Sequence, residues 1–388
     1  MNRRLRVAIA ALLVWSSGCG TSDEQGRPAT DSTEASVTSA VASVTTTPVA
    51  SAATTAPAST ASSEPTAPAP TTAIPSTTAV DLEAARPYAV TTNRFTLVDA
   101  SRSTPATDTS EELAGRTINV VLRVPDGDGP VPLVVFSHGL SGHPDAFDDL
   151  LGSWAGSGYA VAAPVFPLTN GYGSDFSIAD GVSQPGDVSF VLDQMFDEST
   201  EIGERVAGRL DQQRVGAAGL SFGGATTYEV ALNERVRDHR IRAAVIMAGA
   251  RFTNPDDGSF IAADVPVYLL HGDADPVVPI DVSQDAYRSF ADKAYFATLL
   301  GGVHADPFQD ETAGRAKVSG MDDVIAESTT AFWDHVLLDD PGAAARLVAA
   351  AEVEGLSVIA QNDLCARGLV GDGGYADETI GDYLAAFC

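Results

Sequence analysis

The chain has 388 residues, enough for one large domain or two ordinary ones around a sizeable core. Its 52 acidic residues against 23 Lys and Arg leave a formal charge of −29. That balance argues against nucleic acid or anionic surfaces as partners, and a well-solvated surface is enough to explain it.

Residues 1–18, MNRRLRVAIAALLVWSSG, place three arginines before an apolar run from Val7 to Trp15 and end in small residues. This pattern reads as a secretory signal, and the run is too short for a permanent membrane span. Cys19 follows Ser16, Ser17 and Gly18, which resembles a bacterial lipoprotein processing site, although Ser16 stands where leucine is preferred. The resemblance implies lipidation of Cys19; ordinary cleavage nearby is the alternative. Three cysteines are an awkward number in an oxidising compartment, and lipidating Cys19 leaves an even pair, Cys365 and Cys388. A disulfide between them would pin the C-terminal tail and add about 3 kcal/mol; two unpaired thiols are the other reading. Residues 19–85 are mostly Thr, Ala, Ser, Pro and Val. They lack the large apolar side chains that offset ordering entropy, so a disordered spacer is expected, with the folded unit spanning 86–388.

Two β-rich stretches, RFTLVDASR and TINVVLRVP, open that unit and suit an antiparallel edge. Six short apolar runs follow, at 131–139, 159–166, 214–221, 243–249, 265–272 and 294–302. Their lack of polar alternation means burial on both faces, the mark of a parallel sheet covered by helices. Between them Val188, Val191, Leu192 and Met195 fall at helical spacing, and DDVIAESTTAFWDHVLL and PGAAARLVAAAEVEGL read as later helices. Strands alternating with helices make an α/β domain. In such sheets, ligands bind at the carboxyl ends of the strands. The residues found there are His138-Gly139-Leu140, Ser221, Asp275 and His304.

Gly219-Leu220-Ser221-Phe222-Gly223 fits G-x-S-x-G between a strand and a helical stretch, the context of a nucleophile elbow. Gly219 and Gly223 permit the turn, and Gly224 lets the helix approach the sheet. A serine hydroxyl needs a base held by an acid, and chain order on this fold is Ser, acid, His. His304 follows the last strand and is the expected base. His239 lies in a charged segment, His271 belongs to its strand and His335 sits in a helix, so all three read as structural or solvated. Asp275, further into its loop and before Pro276, is the expected acid, while Asp273 is expected to hydrogen-bond within the turn. The amides of Phe222 and Leu140 are the candidate oxyanion donors, and His138 is read as a loop organiser. Phe166, Leu168, Tyr172 and Phe308 are candidates for lining the acyl pocket, with simple packing as the alternative.

These motifs resemble the α/β-hydrolase superfamily over roughly residues 115 to 340. FSHGLSG with LSFGGAT resembles the platelet-activating-factor acetylhydrolases, but the place where those enzymes carry their acid reads MAGARF, without a carboxylate. VPVYLLHGDADPVVP and KAYFATLLGGVHADPF instead resemble cutinase-like polyester hydrolases and dienelactone-hydrolase-like esterases. Classical dienelactone hydrolases use cysteine, so Ser221 departs from them. The resemblance implies a Ser221–His304–Asp275 triad on a largely uncapped α/β-hydrolase fold. Only one strand and short connections fit between Ser221 and the strand that leads into Asp275, which leaves no room there for a lid.

The expectation is therefore a secreted, lipid-anchored serine carboxylester hydrolase of short-chain esters or polyesters. It would need no metal or organic cofactor, act as a monomer, and touch a membrane only through its anchor. A phospholipid acetylhydrolase or lipase is the enzymatic alternative. An inactive hydrolase fold displayed for binding is the alternative of another kind.

Overall fold

The computed structural model describes residues 88–252, 265–290, 294–310 and 318–361. The signal segment, the spacer, Cys19, Cys365 and Cys388 lie outside the described residues. None of the described helices is long and apolar enough to cross a membrane.

The strands are β1 (Val90–Asp99), β2 (Arg116–Pro125), β3 (Val131–Ser137), β4 (Ala160–Val165), β5 (Leu210–Leu220), β6 (Ile241–Met247), β7 (Val267–Gly272), β8 (Ala294–Leu299) and β9 (Ser357–Gln361). They form one sheet in the order β1-β2-β4-β3-β5-β6-β7-β8-β9. The β3-to-β8 portion is parallel. β1 and β2 join antiparallel at one edge, as the opening stretches suggest, and β9 joins antiparallel to β8 at the other. β9 went unread in the sequence. Its five residues follow a helix and lack any period long enough to separate strand from helix end.

The helices are α1 (Asp148–Gly156), α2 (Gln184–Phe196), α3 (Glu201–Arg205), α4 (Phe222–Leu232), α5 (Ile280–Ser289), α6 (Met321–Leu337) and α7 (Ala343–Ala351). Two apolar clusters lie on the two faces of the sheet. One takes Val188, Val191, Leu192 and Met195 of α2 with Tyr228 of α4 and Tyr287 of α5. The other takes Trp154 of α1, Phe332 and Trp333 of α6 and Leu347 of α7. Gly216 of β5 makes room for Trp333, whose ring would lie 2.8 Å from a Cβ at that position. Burial on both faces explains the unbroken apolar strands. This is the α/β arrangement that the strand-helix pattern suggests, and the α/β-hydrolase fold that the resemblance implies.

Candidate active site

Ser221 sits between β5 and α4 at φ 57°, ψ −114°, a backbone conformation that costs a non-glycine residue of order 1–3 kcal/mol. The glycines around it explain how the turn closes. A Cβ at Gly219 would overlap the Gly223 carbonyl, and one at Gly223 would overlap the carbonyl of Ser137 in β3. A Cβ at Gly224 would come within 2.9 Å of the Gly249 Cα, so α4 crosses close over the end of β6 as expected. The Ser221 amide donates to the Met247 carbonyl at 2.8 Å, which ties the elbow to β6.

The strand ends bring three of the expected residues together. Ser221 Oγ lies 2.6 Å from His304 Nε2. His304 Nδ1 lies 2.7 Å from Asp275 Oδ2. Asp275 Oδ1 accepts the amides of Val277 at 2.7 Å and Val278 at 3.0 Å, so the Asx turn and the contact with His304 coexist in one side chain. Burial alone would raise the Asp275 pKa; donors from His271, His304 and the backbone reverse this and hold it well below the usual carboxylate range. The carboxylate is therefore ionised throughout the neutral range. The loop carrying His304 is tied at both ends. Asp273 Oδ1 accepts the Gly301 amide at 2.6 Å, and Asp310 Oδ2 accepts the Asp148 amide at the start of α1 at 2.7 Å. Asp273 thus reaches across to the neighbouring loop instead of bonding within its own turn, because the close approach of Gly272 and Gly302, where the Ala274 amide donates to the Gly302 carbonyl at 3.0 Å, puts the Gly301 amide in range.

The loop after β3 reaches the same place. A Cβ at Gly139 would lie 3.5 Å from the Ser221 Cβ. The loop is a tight turn in which the Gly142 amide donates to the Gly139 carbonyl at 2.8 Å. Within it the Leu140 amide has no partner among the described residues, and neither does the Phe222 amide at the start of α4. Two open donors beside a serine are what an oxyanion needs. His138 is fully buried beneath them. Its Nδ1–H donates to the Gly139 carbonyl at 2.8 Å and its Nε2 accepts the Phe166 amide at 3.2 Å. Burial pushes its pKa down to about 4, so it is a neutral loop organiser, as read from the sequence.

The four pocket candidates divide. Phe166 is fully buried with its ring 5.1 Å from that of His138, and Leu168 is buried as well. Phe308 is corrected: it packs in the core cluster with α1 and α6 and faces a cleft with Asp149, Leu150 and Ile325. The tether of Asp310 to α1 turns that segment inward. Tyr172 is exposed, 4.4 Å ring to ring from His143, on the wall of a groove of about 520 Å³ that Arg94, Asn119 and Asn170 also line. The residue that sequence reasoning passed over is His271. It lies in β7 as expected, but its Nε2 is 3.1 Å from Asp275 Oδ2. A histidine four residues before the acid was the available signal.

A mostly parallel sheet with a strained strand-to-helix serine and an Asp-His pair at adjacent strand ends is the arrangement of the α/β-hydrolase fold. Residues 118–299 match the Dienelactone hydrolase family. A solved ferulic acid esterase from Streptomyces cinnamoneus is similar in structure, with a TM-score of 0.52 and 23% identity, over 65% of this chain and 91% of that chain. No curated protein sequence matches this one. The structural likeness supports the α/β-hydrolase fold, and the family match covers a little under half of the chain.

Proposed function

We propose that the protein is a serine carboxylester hydrolase working through an acyl-enzyme on short-chain esters or polyesters. The observation that carries this reading is the continuous relay from Ser221 Oγ through His304 to Asp275 beside two unengaged amides. In the proposed cycle Ser221 attacks the ester carbonyl while His304 Nε2 takes its proton, and ionised Asp275 stabilises the resulting imidazolium. The Phe222 and Leu140 amides receive the oxyanion. The tetrahedral intermediate collapses as His304 gives its proton to the departing alcohol. Water then repeats the sequence and frees the acid and the serine.

The N-terminal sequence supports export and anchoring through Cys19, with residues 19–85 as a spacer and the Cys365–Cys388 pair as a disulfide. The position of the acid after β7 supports the dienelactone-hydrolase-like arrangement over that of the phospholipid acetylhydrolases. The test is hydrolysis of p-nitrophenyl esters from acetate to long acyl chains, with methyl ferulate as an added arm because the structural neighbour is a ferulic acid esterase. Activity that peaks at short chains and disappears in Ser221→Ala is expected. Undiminished activity in that variant would overturn the assignment of the nucleophile, and a long-chain peak would replace short esters by lipids.

A further inference from the structure

Resting on that reading, we infer that His271 is a positioning residue for the acid and that, with Ser283, it extends the relay of Ser221, His304 and Asp275 to five residues. His271 is wholly buried at the end of β7. Its Nε2 faces Asp275 Oδ2 at 3.1 Å and the Val278 carbonyl at 2.9 Å. An ionised carboxylate and a carbonyl only accept, so Nε2 carries the proton. Nδ1 lies 2.7 Å from the hydroxyl of Ser283, a buried residue of α5. In the neutral ring Nδ1 is then the acceptor and Ser283 the donor. The opposite tautomer would set a lone pair against two acceptors at a fully buried ring. The two acceptors at Nε2 set the tautomer, and the Ser283 hydroxyl, donating to Nδ1, holds the ring in the plane that aims Nε2–H at the acid.

The consequence falls on Asp275. Its Oδ1 is held by the Val277 and Val278 amides, and its Oδ2 by two imidazoles. Four donors saturate the group, and rotating it breaks at least two bonds. Without His271, the sole side-chain donor to Oδ2 would be His304, whose own charge changes during each turnover. His271 supplies a donor that does not change, so the carboxylate is in place before His304 becomes charged. The same N–H binds the Val278 carbonyl, which clamps the turn that delivers the Val277 and Val278 amides.

The test uses the full chain with p-nitrophenyl acetate, with competent sites counted by a fluorophosphonate and folding followed by thermal melting. His271→Leu removes the donor, His271→Gln keeps an N–H of similar reach, and Ser283→Ala removes the hydrogen bond that holds the His271 ring in place. The expected result for His271→Leu is a kcat per competent site lower by about 10- to 100-fold, the scale of a displaced catalytic group, with KM within about twofold. His271→Gln should recover most of that loss, and Ser283→Ala should lower kcat by a smaller factor. Wild-type kcat per site in His271→Leu, with only the melting temperature lowered, would make His271 a packing residue and overturn the inference. Should His271→Leu fail to fold, Ser283→Ala decides: reduced kcat at unchanged KM supports the inference, and wild-type kcat overturns it. Activity retained in Ser221→Ala, run alongside, would instead sink the hydrolase reading itself.

Discussion

Asp275→Asn keeps the shape of the acid and replaces one acceptor oxygen by an NH2 group, and the surroundings of the residue fix what must follow. Four N–H donors converge on the carboxylate, two on each oxygen. Whichever way the amide is turned, its NH2 faces two of them. Against Val277 and Val278 it would oppose backbone amides that cannot change polarity, leaving buried donors unpaired at about 1–3 kcal/mol. Against the imidazoles, His304 can respond by moving its proton from Nδ1 to Nε2. That orientation should prevail, and it presents an N–H to Ser221 Oγ where an acceptor is required. A base in the wrong tautomer costs about 10⁴ in kcat, or about 5 kcal/mol of transition-state stabilisation. Steady-state kinetics with p-nitrophenyl acetate should show that fall in kcat at nearly unchanged KM. Fluorophosphonate labelling should slow in parallel while the melt stays cooperative. A variant within tenfold of wild-type kcat would mean that Asp275 is not the acid that orients His304.

Other consequences can be checked without substrate. Because burial holds His138 at about 4 against an ordinary 6.5, the unfolded chain gains a proton that the native state refuses as pH falls between those values. The resulting stability is intact above about pH 6.5 and lost toward pH 4, by about 3 kcal/mol for this group, and His138→Gln should flatten the acid limb of the melting curve; an unchanged limb would contradict it. Gly223→Ala should cost at least about 3 kcal/mol, since the added methyl meets backbone rather than a movable side chain. Gly152→Ala, inside α1 with nothing within 4 Å of the added carbon, should instead stabilise by about 0.5–1 kcal/mol, and chemical denaturation separates the two signs. Arg116→Met should cost about 3–5 kcal/mol by stranding buried Asp180 and leaving buried Asp187 with Arg102 alone at 2.9 Å, since the lost guanidinium binds both carboxylates at 2.6 to 2.8 Å. A denaturation midpoint equal to wild type would show that those carboxylates are compensated elsewhere.

What could be read in advance depended on how local each signal is. The parallel strands were legible because burial on both faces leaves continuous apolar runs, and α2 because its four spaced apolar residues all enter one cluster. α4 carries no amphipathic signal, being buried on every side, and was legible only through the elbow before it. Ser221, Asp275 and His304 were legible because chain order and strand ends together restrict where reacting groups can stand. Their hydrogen-bond geometry required the fold. Phe308 shows the limit of the same reasoning: being four residues beyond His304 says nothing about direction, and the Asp310 tether to α1 turns it into the core.

The strain at Ser221 carries this point further, because a backbone held at φ 57° persists only where its surroundings over-determine it. The glycines remove obstacles to the turn but exert no force that holds it. The holding contacts come from elsewhere: the Met247 carbonyl on the Ser221 amide, Thr227 Oγ1 on the Gly223 carbonyl at 2.9 Å, and Gln184 accepting from Thr226 Oγ1. Gln184 in turn donates to Thr169 Oγ1 at 2.7 Å, and the Thr169 carbonyl takes the Ser141 amide at 2.7 Å. One buried polar chain thus joins the elbow helix to the loop that offers the Leu140 amide, so Ser221 and the proposed oxyanion donor are fixed by the same residues. Nothing in the spacing of Thr169, Gln184 and Thr226 announces this, since a glutamine and two threonines can bond in many places and only the crossing of α2 over α4 selects these partners. A motif can therefore reveal which residue is strained, whereas the groups that keep it strained emerge only once distant parts of the chain have packed.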